Sequence, residues 1–138
     1  MSEDLVAIVR NGYDALNRSD TDGWMQNLDP QVEVHELAEA PEPAVYRGPE
    51  GVRRWLELQE EVFDELTLEP TEITASGDVV LVTVEIRGRG RGSGVPMTLK
   101  LSHVLEMRNG KLLRLRGFLN EADAKRAAAG AAGSDPPA

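Results

Sequence analysis

The hydrophobic period of this chain changes at Thr67, and that change restricts the fold more than any other feature. Before it, apolar residues mostly recur every three or four positions, the spacing of a helix face. After it they alternate, the spacing of a strand. Strands are predicted near 67–75, 79–89, 95–108 and 112–119. "SGD" at 76–78 and "NG" at 109–110 are turn signals, the second a strong hairpin signal. Strands joined by such short turns run antiparallel.

The first half supplies what covers this sheet. Leu5, Ile8, Val9, Gly12, Tyr13 and Leu16 form one continuous helical stripe. "NRSDTDG" breaks that helix. A short second helix carries Trp24, Met25 and Leu28, and Asp29–Pro30 stops it. "QVEVHEL" at 31–37 alternates, with Val32, Val34 and Glu36 on one face and Glu33, His35 and Leu37 on the other. A Pro- and Glu-rich loop at 38–46 and a short strand lead to "RGPEGVRRWLELQEEVFDEL", which reads as a helix over 47–66. Gly48 and Pro49 stand at its start, and Val52, Trp55, Leu56, Gln59, Val62 and Phe63 form its buried stripe. The order predicts an α+β fold: three helices packed on one face of a curved antiparallel sheet, together enclosing a cone-shaped pocket. One domain is expected over 1–125, with 126–138 an unstructured tail.

"IRGRGRGSGVP", Ile86 to Pro96, looks at first like an Arg-Gly box for nucleic acid. Its parity says otherwise. Gly88, Gly90 and Gly92 continue the face of Val80, Val82, Val84 and Ile86, while Arg87, Arg89 and Arg91 continue the opposite face. The run is in register with a strand, as the end of a hairpin whose inner side has shrunk to glycine. The net charge of −9 also opposes polyanion binding. Residues 1–76 hold 18 acidic and 5 basic side chains and the remainder 6 acidic and 10 basic, so the two halves offset each other.

Other classes fall away quickly. With no cysteine there is no disulfide, thiolate nucleophile or Cys-based metal site. Two histidines do not favour a His-rich zinc centre, and neither metal nor cofactor is expected. No apolar run approaches the roughly 20 residues that span a bilayer. The N-terminus "MSEDLVAIVR" is acidic where a signal peptide would be basic, so a cytoplasmic location with no membrane partner is expected.

Candidate site residues follow from which face lines the pocket. Glu36 shares the apolar face of Val32 and Val34. A carboxylate partly desolvated there suits a general base or acid, or else pairs at the pocket mouth with an arginine or a backbone N–H. His103 shares a face with Leu99, Leu101, Leu105 and Met107, as a hydrogen-bond donor in the pocket or as a satisfied core histidine. Tyr13 lies on the buried stripe of the first helix, with a polar tip that reaches the pocket or simply packs. Trp24, Trp55, Phe63, Leu101, Leu105, Leu115 and Leu119 are expected as pocket walls, and Met107 and Phe118 as pocket or core. By the same parity Leu113 joins Leu115, Gly117 and Leu119, while His35, Arg114 and Arg116 face away.

"YDALNRSDTDGWMQNLDPQVEVHELAE", "VYRGPEGVRRW" and "HVLEMRNGKLLRLRGFL" together resemble the SnoaL-like branch of the NTF2-like superfamily, from about Leu5 to Ala124. The resemblance implies a cone-shaped α+β barrel with a deep apolar pocket, usually a homodimer through the outer sheet face. Its relatives include ketosteroid isomerases, polyketide cyclases, scytalone dehydratase and limonene epoxide hydrolase. Glu36 falls where the isomerases keep their proton-shuttling carboxylate, and His103 resembles their second oxyanion donor. Their oxyanion tyrosine falls at Gly12, one position before Tyr13, and one residue turns a helical side chain by about 100°. That speaks against steroid isomerisation. The inward Asp–Arg–Asp set of the epoxide hydrolases has no counterpart. Two functions remain, both acting on a small apolar molecule. One is a cofactor-independent isomerase, dehydratase or cyclase, with Glu36 moving a proton beside a carbonyl and His103, with Tyr13, stabilising the enolate oxygen. The other is a non-catalytic ligand-binding or dimerisation module of the same fold.

Overall fold

The computed structural model describes residues 2–133. Helices α1 (Ser2–Asn17) and α2 (Thr21–Met25) precede β1 (Leu28–His35) and the short β2 (Val45–Arg47). Helix α3 (Gly48–Val62) leads directly into β3 (Phe63–Ser76), followed by β4 (Val79–Gly90), β5 (Pro96–Arg108), β6 (Lys111–Phe118) and α4 (Glu121–Gly133). The strands form one curved, unclosed sheet in the order β2-β1-β6-β5-β4-β3. β3 to β6 are antiparallel, as the turn signals predict, whereas β1 runs parallel to β6 and makes the sheet mixed.

The main core lies between the inner face of this sheet and helices α1 to α3. Val32, Val34, Val52, Val80, Val82 and Val84 are fully buried there. The five on β1 and β4 suit a strand because β-branched side chains lose little rotamer freedom on a pleated surface, while Val52 comes from α3. Two polar clasps fix the layers. The Asn17 amide donates to Leu68 O at 2.9 Å and accepts from Leu68 N at 2.8 Å, so the end of α1 is bonded to β3 as a strand would be. Arg108 donates two hydrogen bonds to Asp29, at 3.0 and 2.8 Å, joining β5 to β1. That guanidinium holds the Asp29 carboxyl below the usual carboxylate range.

Four local expectations are corrected. The helix read over 47–66 ends at Val62, because Phe63 already pairs with Gly90 and the alternation of β3 begins there. Val62, expected on the buried stripe, is 54% exposed. On β6, Leu112 rather than Leu113 is buried with Leu115, since a register shift between Glu106 and Met107 turns the strand. Finally, the tail expected to be unstructured from 126 continues α4 to Gly133. Asn120 caps that helix by accepting from Asp123 N at 2.9 Å. Ala124, Ala127, Ala128 and Ala131 then lie on Val79, Leu81, Val104 and Phe118, forming a second apolar cluster on the outer sheet face. The small side chains bring the helix close to the sheet, a contact invisible to a search for large apolar residues. The end of the expected tail, 134–138, lies outside the described residues.

Candidate functional site

The inner face of β5 and β6 and the underside of α3 bound a cavity of about 750 Å³. Its walls are largely apolar, with Trp55, Leu56 and Phe63 on one side and Leu99, Leu101 and Leu115 on the other. Trp55, Phe63, Leu101 and Leu115, all expected as pocket walls, line it. Trp24 and Leu105 instead line a smaller neighbouring space under α1 and α2. Leu119, also expected as a wall, lies beyond β6 and is 46% exposed. Phe118 packs under α4 on the outer face.

His103 stands on β5 opposite Val82 and Gly117 and is 6% exposed. Its Nδ1 lies 2.6 Å from the Tyr13 hydroxyl, and the two rings stack at 6.0 Å. Burial holds the Tyr13 phenol well above its usual pKa and pushes His103 down to about 4. At neutral pH both rings are uncharged, and because the phenol has no other acceptor among the described residues it donates its proton to Nδ1. The single imidazole proton then resides on Nε2. Nε2 has no hydrogen-bond partner among the described residues. It is not sealed away either; the one sealed and unpartnered side-chain atom there is Arg116 Nε. Gly117 keeps the space beside the ring open: a Cβ there would lie 3.1 Å from Leu37 Cδ2 and 3.8 Å from His103 Cδ2.

Glu36 follows β1 and lines the same cavity. One carboxylate oxygen accepts from Ala44 N at 2.8 Å, while Glu36 N donates to Ala44 O at 3.0 Å. The expected backbone pairing is thus present, and it fixes the carboxylate by a single oxygen. The other oxygen has no protein partner among the described residues. Sequence parity brings Glu36 and His103 to one cavity, with Tyr13 behind His103 rather than in the larger space.

His35 borders the larger cavity, but its side chain turns to the outer face, where Nε2 bonds Glu33 at 2.9 Å. Arg47 also pairs with Glu33, Arg114 pairs with Glu106, and Arg116 lies over the Phe118 ring at 6.0 Å. None of the three lines the cavity, and for Arg114 and Arg116 that is the face parity predicts. The arginine–glycine run ends at the cavity mouth. Arg91 donates to Glu60 O at 2.7 Å and Phe63 O at 3.4 Å, and pairs with Asp64 at 2.8 Å. Gly88 lets the hairpin pass close under β3, since a Cβ there would lie 3.1 Å from Leu66 Cδ1. Sequence reasoning missed Arg91 and Asn17 as cavity residues. Their partners are mostly backbone carbonyls or amides, with the Asp64 carboxylate, and all lie far along the chain, where no local pattern encodes them. Among the described residues no cluster of three or more His, Cys, Asp or Glu side chains gathers as a metal site would, and no helix is long and apolar enough to cross a membrane.

Comparison with known proteins agrees with this fold. The SnoaL-like domain family model matches residues 9–115. No curated protein matches the sequence. Among solved structures, an NTF2-like protein of unknown function from Burkholderia pseudomallei is 24% identical, with a TM-score of 0.77 over 93% of this chain and 98% of its own. An NTF2-like protein from Burkholderia thailandensis is 26% identical, with a TM-score of 0.74 over 91% and 98%. A candidate polyketide cyclase from Sinorhizobium meliloti is 28% identical, with a TM-score of 0.66 over 80% and 93%.

Proposed function

The chain belongs to the SnoaL-like domain family, and on that premise we propose that it binds an uncharged, largely apolar small molecule through a carbonyl oxygen docked on His103. The observation that carries this reading is the Tyr13–His103 hydrogen bond of 2.6 Å beside an apolar cavity of about 750 Å³. With the phenol donating to Nδ1, the imidazole presents a neutral Nε2–H. A neutral donor among apolar walls suits a neutral acceptor, because a carboxylate there would be desolvated while the cavity's arginine, Arg91, is already paired with Asp64. Titrating ketones into the wild-type protein and His103→Phe by calorimetry tests this. Binding to the wild type alone is expected; equal binding to both would overturn it.

The unpartnered oxygen of Glu36 in the same cavity favours a second, catalytic reading. The carboxylate takes a proton from the carbon beside the carbonyl. The C–H electron pair moves into the enolate, whose oxygen accepts from His103 Nε2–H. Returning the proton to another carbon isomerises the substrate, loss of a β-hydroxyl dehydrates it, and attack on a second carbonyl closes a ring. Each is a cofactor-free completion of one half-reaction, and the Sinorhizobium meliloti relative's description as a candidate polyketide cyclase supports this class. Glu36→Gln keeps an oxygen for Ala44 N. It is expected to lower turnover about 10²–10⁴-fold while ketone binding persists. Solvent-deuterium exchange at the carbon beside a bound carbonyl reads this directly, and equal exchange in both proteins would sink it. The homodimer that the family resemblance implies would use the outer face of β1 and β2, away from the α4 contacts on Val79, Leu81, Val104 and Phe118; sedimentation of the full chain tests it.

A further inference from the structure

On the Tyr13 side of the Tyr13–His103 pair lies a second, smaller cavity of about 50 Å³, under α1 and α2. Val9, Trp24, Leu105, Met107 and Leu112 build most of its wall. Tyr13 and His103 offer it little polarity, since the hydroxyl and Nδ1 are bonded to each other. Such walls give a water too few of the two to four partners that hold it in place. Leu16, Leu68, His103 and Leu115 line both this space and the larger cavity, so side chains alone part the two.

Gly12 faces this space from the middle of α1. Glycine is a poor residue for a helix interior, and nothing else in the fold asks for it. Its φ is not positive, and a Cβ there would meet nothing nearer than Trp24 Cδ1 at 3.7 Å, an ordinary contact. What the missing side chain leaves is the cavity itself. Its volume is about a third of the ~150 Å³ of an engineered cavity that admits benzene, the scale of a two- or three-carbon group.

We propose that the inner cavity is a ligand subsite, opened by Gly12, that receives a short alkyl branch attached to the carbonyl held by His103. The ligand class is then a ketone with a bulky group in the larger cavity and an ethyl- or isopropyl-sized group on the other side of the carbonyl. This rests on the docking of a carbonyl at His103 proposed above.

Four phenyl ketones test it by calorimetric titration: methyl, ethyl, isopropyl and tert-butyl. Affinity is expected to rise about fourfold per added carbon as far as isopropyl and to fall at tert-butyl. Gly12→Val, which fills the cavity, should flatten the series to within about twofold. If Gly12→Val does not fold, Gly12→Ala is the substitute, and it should move the optimum one carbon lower. A flat series in the wild type, or an unchanged series in the filled variant, overturns the proposal. Xenon-pressurised crystals give an independent readout, with one atom expected in the inner cavity of the wild type and none in the filled variant. If none of the ketones binds, docking on His103 has failed. Xenon then decides the inner cavity alone: occupancy upholds an apolar subsite and vacancy overturns it.

Discussion

His103 and His35 project from opposite faces of one sheet, and the faces use them differently. On the inner face His103 is 6% exposed, stacked on Tyr13 and bonded to it, with an apolar cavity on its free side. On the outer face His35 keeps 25% of its side chain exposed and sits beside Glu33, within a ladder that also holds Arg47, Arg114 and Glu106. The inner face removes water and fixes a single protonation state. The outer face keeps water and spreads charge over several partners. Polarity on the inner face is therefore scarce and positioned, while polarity on the outer face is plentiful and exchangeable.

Acid is the strongest way to break that contrast. In the unfolded chain a histidine binds its proton near pH 6.5, whereas folded His103 does so only near 4. Between those values the unfolded state holds one proton more, so stability must fall as the pH falls. The cost is absent above about pH 7 and reaches on the order of 3 kcal/mol near pH 4. Urea unfolding from pH 8 to 5 should show the slope in the wild type and lose it in His103→Gln. The upper part of that range is the telling one, because Asp29, Glu33 and Glu39 have lowered pKa values and add their own losses only at lower pH. A slope unchanged in the variant would mean that His103 is not held neutral.

Removing one oxygen is the next sharpest test. Tyr13→Phe keeps the ring and strands His103 Nδ1 without its donor. About 1–3 kcal/mol of stability should be lost in denaturant titration. Nitrogen NMR should then show the imidazole proton shared between both ring nitrogens. The corresponding cut on the outer face, Glu33→Gln, should cost at most about 1 kcal/mol, and less in high salt. Leu119→Ser should have the smallest effect. That side chain is 46% exposed, so thermal unfolding should move by no more than about 0.5 kcal/mol and ketone affinity should not move at all.

Much of this contrast could be read in the sequence wherever alternation held. Val32, Val34 and Glu36 against Glu33 and His35, and Leu101, His103 and Leu105 against Ser102 and Val104, fall on the faces that parity assigns. It failed where the backbone adds a residue or where packing depends on small side chains. The register shift beside Met107 exchanges Leu112 for Leu113. The alanines of α4 cover the outer face without any strong hydrophobic stripe. The partner of His103 was also hidden. Tyr13 and His103 stand 90 residues apart, and the pattern offers each as a pocket donor or a core residue without showing that they bond each other.

The clasp made by Arg91 bears on how such a cavity changes over evolutionary time. Its side chain holds the carbonyls of Glu60 and Phe63, and its own amide donates to Val62 O at 2.8 Å. A carbonyl is present whatever residue carries it. Glu60 and Phe63 both line the larger cavity, so their side chains are free to be exchanged, and the ligand preference with them, while the hairpin stays fastened. Attachment through the main chain separates the inheritance of the frame from the inheritance of its taste.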